Sequence, residues 1–163
     1  MFTSVFSRPC SYALRAVTYL AAQPLGKLTG KKEIAQCESI PPAFLSKVLL
    51  SLSHSHVLRS RKGLRGGYEL ALPAEQISML AVVRAVSGEP FQDCLLEERP
   101  CSCTHPCELH DSWVVVREQL LGYFQHLTAA DLVRLRRHEG GGGNPRKAAV
   151  ADRSEEKDHG DDA

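Results

Sequence analysis

Two consecutive prolines, Pro41-Pro42, separate two short apolar helix patterns, and a basic glycine-rich stretch follows the second. That order constrains the fold more than any other feature of the chain. Before the break, Lys31, Lys32, Glu33, Ile34 and Ala35 read as a short helix with Thr29 placed to cap it. After it, Pro42 suits a first helical turn, where its missing N–H costs nothing, and opens a helix to about His54. Phe44, Leu45, Val48, Leu49 and Leu52 form its buried stripe, with Ala43, Ser46, Lys47 and Leu50 nearer the opposite face. Val57-Leu58-Arg59-Ser60-Arg61 and Tyr68-Glu69-Leu70-Ala71 then flank Lys62-Gly63-Leu64-Arg65-Gly66-Gly67, the pattern of a β-hairpin. Its glycines supply positive φ or close backbone approach. Upstream, Leu14, Val17, Leu20 and Ala21 mark an amphipathic helix over 11–22, and downstream a helix over 77–86 carries Leu80, Val83 and Val86 inward and stops at Gly88. The fold class is mainly α with a small β-hairpin wing: a winged helix-turn-helix.

Charge agrees with that reading. Residues 1–75 contain ten Lys or Arg against four acids, about +6, although the whole chain is at +1. An excess of this kind suits phosphate. In a helix-turn-helix the start of the second helix enters the major groove, so Ser39, Pro42, Ala43, Ser46 and Lys47 are the candidate base readers, with Lys31 beside them. Arg59, Arg61, Lys62 and Arg65 of the wing are candidates for backbone or minor-groove contact. An enzyme would need a substrate pocket and a positioned base, and no motif supplies them. No apolar run approaches the roughly 18 residues that span a bilayer, and Arg15 interrupts any signal-peptide core, so a cytoplasmic location and no membrane partner are expected.

The second half carries the metal chemistry. Cys94, Cys101, Cys103, Cys107 and His110 fall within seventeen residues, in a loop with no sustained period. Thiolate sulfur is the ligand that both iron–sulfur clusters and Zn²⁺ select. On composition alone, Cys101, Cys103, Cys107 and His110 make a Cys₃His zinc set, and the spacing leaves cluster, zinc and a metal-free thiol switch open. Elsewhere, Cys37 reads as a small core residue, His54 and His56 as residues at a helix end, and His105 as solvated. Beyond the loop, Leu109, Trp113, Val116, Leu120, Phe124 and Leu127 recur close to a heptad stripe, with Trp113 in its core, and Thr128 can cap a short helix over 129–137. From Glu139 onward, acids, a glycine run and no aromatic residue predict a disordered tail.

Several stretches together resemble the Rrf-two family of bacterial transcription regulators, over residues 3–135. They are Cys10-Ser11-Tyr12-Ala13-Leu14-Arg15-Ala16, Ile34-Ala35, Ile40-Pro41, Phe44-Leu45, Gly63-Leu64-Arg65-Gly66-Gly67-Tyr68-Glu69-Leu70-Ala71 and Val82-Val83-Arg84-Ala85-Val86-Ser87-Gly88. The resemblance implies a homodimer whose long C-terminal helix crosses to the partner subunit. It also implies an iron–sulfur cluster, [2Fe-2S] or [4Fe-4S], on three loop cysteines. Cys94, Cys101, Cys107 and His110 are similar to the IscR-type pattern of three cysteines followed by a histidine. Cys103 is the alternate for Cys101. His110 is the first choice for fourth ligand, and Cys10 of the partner subunit the second. The domain organisation expected is a DNA-binding domain over 1–90, a Cys-rich loop over 91–107, a dimerisation helix and short terminal helix over 108–138, and a tail over 139–163. The function expected is a DNA-binding regulator whose affinity for a near-palindromic operator is controlled by the cluster, with a zinc or thiol-based regulator as the alternative.

Overall fold

The computed structural model describes residues 6–24, 26–63, 65–97 and 99–139. Its elements in order are helix α1 (Arg8–Ala21), α2 (Lys31–Glu38), α3 (Pro42–His54), strands β1 (Leu58–Arg61) and β2 (Gly67–Leu70), a 3-10 turn (Ala74–Gln76), α4 (Met79–Ser87), α5 (His110–His126) and α6 (Ala129–Glu139). The expected tail lies, but for Glu139, outside the described residues. The chain divides into a unit through Val133 and a second from Arg134 onward, and the core and every candidate site residue belong to the first.

Helix α1 opens where Ser7 accepts the Cys10 N–H and Pro9 occupies the first turn. Its Ala13, Ala16 and Val17 are fully buried, and small side chains here let α3 and α4 approach closely. Around them pack Ile34 of α2, Leu45, Leu49 and Leu52 of α3, and Val82 of α4, giving one continuous apolar core. Arg15 reaches from α1 to the buried Glu38 carboxylate at 3.4 Å, pinning α2.

Helix α2 is not capped by Thr29. Gly30 is its N-cap, without a side-chain hydrogen bond, because Thr29 is drawn into the wing, where its N–H and C=O exchange bonds with Tyr68 at 3.0 and 2.9 Å. The helix ends at Ser39 in the left-handed region, φ 49°, and Ile40 N–H returns to the Ala35 carbonyl. That tight stop, followed by Pro41, makes the turn into α3.

Strands β1 and β2 pair antiparallel with Leu58 opposite Leu70 and Arg61 opposite Gly67. A Cβ on Gly67 would lie 2.7 Å from the Thr29 carbonyl oxygen, and one on Gly66 would lie 2.2 Å from that of Arg61. Close approach is therefore the reason for both glycines.

The N-termini of α4 and α6 lie side by side. Ser78 caps α4 by accepting the Ala81 N–H, while Thr128 and Asp131 cap α6 reciprocally, the Thr128 N–H donating to Asp131 and the Asp131 N–H to the Thr128 hydroxyl. Ser78 and Thr128 also form an antiparallel bridge, flanked by Met79 N–H to Leu127 O at 2.7 Å and Ala129 N–H to Ile77 O at 2.8 Å. Through it the end of α5 is held against α4, where Phe124 joins Met79 and Leu80 in a second apolar cluster.

Three expected core positions differ. Phe44 is exposed at 55%. It stands about 100° round the helix from Leu45, at the rim of the buried stripe. Val86 is half-buried, at the last turn of α4, and Cys37 is exposed on α2, its sulfur against the Tyr19 hydroxyl, whose pKa it pushes up. The α5 stripe is split as well: Phe124 is buried and Trp113 and Leu120 half-buried within the chain, whereas Leu109 and Val116 are exposed.

Gly67→Ala must displace the Thr29 backbone. We expect a loss of about 1–3 kcal/mol, read as a lower urea midpoint with the slope unchanged.

Candidate nucleic-acid interface and thiol loop

Two groups of candidate residues occupy separate parts of the first unit. On the DNA side, Pro42, Ala43 and Lys47 are exposed on α3, Ser39 is exposed in the turn before it, and Ser46 is half-buried. Lys31 of α2 donates to the Ser46 hydroxyl at 3.0 Å, and that hydroxyl donates to the Pro42 carbonyl at 2.8 Å. One lysine from each helix is thus brought to the same corner. Arg59, Arg61, Lys62 and Arg65 are all exposed on the wing. Arg61 lies 3.8 Å from Glu69 across the hairpin, a surface pair too solvated to neutralise the wing.

The thiol loop begins at Phe91, whose φ of 61° is left-handed and unusual for a bulky side chain. Its ring sits 6.1 Å from Phe124 and 6.4 Å from Trp113, with Phe6 at 6.2 Å. From there the chain makes a small hairpin that sequence periodicity did not reveal. Asp93 and Pro100 form an antiparallel bridge, Cys94 N–H donates to Arg99 O at 2.9 Å, and Cys101 N–H donates to Gln92 O at 2.7 Å. The hairpin sets Cys94 opposite Arg99 and Cys101 opposite Gln92, so the two cysteines, with six residues between them in sequence, stand diagonally across it. Cys107 comes back beside Cys94, and its carbonyl accepts the His110 N–H at 3.0 Å where α5 begins.

Four of the six candidate donors come together in two pairs. Cys101 Sγ lies 3.2 Å from His110 Nδ1, and His110 is 8% exposed. Cys107 lies close enough to Cys94 for each sulfur to shift the other's proton affinity. Cys94 is pulled below the usual thiol range, first by the Leu96 backbone N–H and then by Cys107, since both stabilise the thiolate. Cys107 is pushed up, chiefly because its proton is held by Cys94, with the negative charge of Cys101 adding to the effect. The Arg99 guanidinium, held in an ion pair with Glu97, feels both Cys94 and Cys107.

Two candidates stand apart. Cys103 is exposed in the turn. Cys10 is 2% exposed with its sulfur 2.9 Å from the Ser87 hydroxyl, and it joins neither pair. Three sulfurs and one imidazole nitrogen on a short loop are a soft donor set, which fits an iron–sulfur cluster or zinc by chemistry. Among the described residues, no group of three or more His, Cys, Asp or Glu side chains is arranged to hold one metal ion. Nor is any described helix long and apolar enough to cross a membrane.

Fold and basic surface together define a winged helix-turn-helix regulator of transcription. The chain belongs to the Rrf2 (Rrf-two) family, described as iron-dependent transcriptional regulators, whose model matches residues 6–135. It is 34% identical, over 80% of its own length and 92% of the relative's, to a protein of Aquifex aeolicus designated an HTH-type transcriptional regulator. A similarly designated protein of Mycobacterium tuberculosis is 33% identical over 77% of this chain and 79% of its own. Among solved structures, CymR, the global cysteine regulator of B. subtilis, superposes with a TM-score of 0.68 at 21% identity, covering 83% of this chain and 98% of that one. IscR of T. potens does so with a TM-score of 0.60 at 21% identity, covering 85% and 91%. Those two likenesses speak to the fold. The family and its relatives are regulators, not enzymes.

In the metal-free protein Cys94 is the better nucleophile of its pair, because the thiolate and not the thiol attacks. As pH is raised from acid, alkylation by iodoacetamide should reach Cys94 before Cys107, read by peptide mass spectrometry. The reverse order would show that the proton sits on the other sulfur.

Proposed function

We propose that the chain is a homodimeric DNA-binding regulator whose operator affinity is set by an iron–sulfur cluster on Cys94, Cys101 and Cys107, with His110 as fourth ligand. The observation that carries this is the pairing of those four donors around one loop that ends in the first residue of α5. Bound there, a cluster would supply reversible one-electron chemistry and sensitivity to oxidants, nitric oxide or iron status. The chain's own residues do the rest. Leu96 N–H holds Cys94 toward its thiolate form, the ligating state, and Arg99 offsets the accumulating negative charge. His110 passes any change in the loop directly to α5.

Zinc on Cys101, Cys103, Cys107 and His110, or a metal-free thiol switch, is the second reading. Zinc requires its four donors to converge on one ion. The exposure of Cys103 and the division into two pairs favour ligands shared among several irons instead.

A second copy is the expected partner of α5, because Val115, Val116 and Tyr123 are exposed on it and a water-facing apolar helix side is costly. Two copies present two α3 helices, so a near-palindromic operator with half-sites about one or two helical turns apart is expected. The division into a DNA-binding domain over 1–90, a Cys-rich loop over 91–107 and a dimerisation region over 108–138, within a cytoplasmic protein, is part of the same reading.

Anaerobically purified protein should contain iron and acid-labile sulfide and show visible absorption. Cys94→Ala, Cys101→Ala and Cys107→Ala should each abolish that absorption, while Cys103→Ala should keep it. Stoichiometric zinc without sulfide would sink the cluster. For the wing, Arg61→Glu with Arg65→Glu should weaken operator binding and flatten its salt dependence by about one unit of log–log slope per lost phosphate contact. Unchanged binding and slope would remove the wing from the interface.

A further inference from the structure

Over residues 42–50 the exposed positions of α3 carry few hydrogen-bonding side chains. At about 100° per residue, Leu45, Leu49 and Leu52 point to the core, Ala43, Lys47 and Leu50 lie opposite them, and Phe44 and Ser46 flank the buried stripe on its two sides. Phe44 and Leu50 are each 55% exposed, and Ala43 is exposed beside them. Among these five, Ser46 and Lys47 alone carry polar side-chain atoms, and the Ser46 hydroxyl already donates to Pro42 O and accepts from Lys31. Phe44 does not lie loose on the surface. Its ring stands 6.3 Å from that of Tyr12 of α1, tilted by 54°, so a neighbour limits its rotation while leaving most of it in solvent.

The charge surroundings of Phe44 and Ala43 name an occupant for them. Lys31 and Lys47 flank them, Lys32 is exposed on the same short helix as Lys31, and the basic wing follows in the same unit. A polyanion with an apolar feature on its accessible edge matches that combination. Major-groove DNA has one such feature: the C5-methyl group of thymine, which apolar side chains contact and which distinguishes thymine from cytosine.

We propose that α3 reads its half-site largely through thymine methyl groups, with Phe44 as the principal contact and Ala43 beside it in the first turn, while Lys31 and Lys47 contribute position and charge. This rests on the assignment of α3 to the major groove. Phe44 is then a specificity-determining residue, although helical spacing alone placed it in the core. The operator half-site carries thymine where Phe44 meets it.

The test selects operators from a random duplex library with the full wild-type chain, then replaces each thymine of the selected half-site by deoxyuridine, which removes the methyl group and leaves base pairing intact. At the position under Phe44 we expect affinity to fall about fourfold per half-site, the equivalent of exposing one buried carbon. Phe44→Ala should bind thymine and deoxyuridine duplexes equally, and Phe44→Leu should keep most of the preference. Thermal denaturation of both variants checks that the exposed substitution leaves the fold intact. If wild-type protein selects no sequence, the DNA-reading role of α3 falls and this inference with it. If it selects operators but is indifferent to deoxyuridine throughout, DNA reading stands and methyl recognition is wrong. If Phe44→Ala loses affinity equally on every sequence, or keeps the preference, Phe44 is not the reader.

Discussion

The antiparallel bridge between Ser78 and Thr128 is the constraint on which the rest of this unit depends. It joins two helix starts: the side-chain caps take up the Ala81 and Asp131 N–H groups, and the backbone bonds beside the bridge take up those of Met79 and Ala129, which would otherwise face water. Because α5 ends at the Leu127 carbonyl that Met79 uses, the bridge also fixes where the long helix leaves the core. The helix-turn-helix half and the thiol loop thereby share one foundation. Phe124, Met79 and Leu80 form the apolar layer beneath it.

Under the proposed function, that foundation is what links a chemical event at sulfur to the helix-turn-helix. Cys107 and His110 sit at the start of α5, Phe124 and Leu127 near its end, and a helix transmits displacement along its axis. A modest difference is sufficient: a tenfold change in operator affinity corresponds to about 1.4 kcal/mol between two states. Charge acts in the same direction. The loop gathers two thiols, Cys94 and Cys107, near Arg99, so its net charge depends on how many are ionised, and these two sulfurs differ in how readily they lose the proton.

Most of the architecture was legible in the sequence because it rests on short-range rules. The proline break, the glycine-rich tip and the apolar periods located α1, α3, the wing and α4 to within a few residues of where they stand. The failures have a common cause. Thr29 reads as a cap until Tyr68 claims its backbone, Cys37 reads as core until Tyr19 and solvent are seen on either side, and Phe44 reads as buried because its period matches Val48 and Leu52. Each depends on a neighbour distant in sequence. The α5 stripe failed for a related reason: one apolar face serves both the chain's own core and an uncovered surface, and periodicity cannot divide it. Within the thiol loop the donor types were evident from composition, but the hairpin that pairs them rests on two backbone bonds with no sequence period.

Phe91 holds a left-handed backbone that costs a bulky residue roughly 1–3 kcal/mol. Ring contacts of about 0.5–1.5 kcal/mol each, with Phe6, Trp113 and Phe124, offset it only while that aromatic nest is intact. Trp113, edge-on to Phe91, is the one tryptophan of the chain. The molecule therefore carries an intrinsic optical gauge at the root of the thiol loop, whose emission follows the packing of that junction without any attached dye.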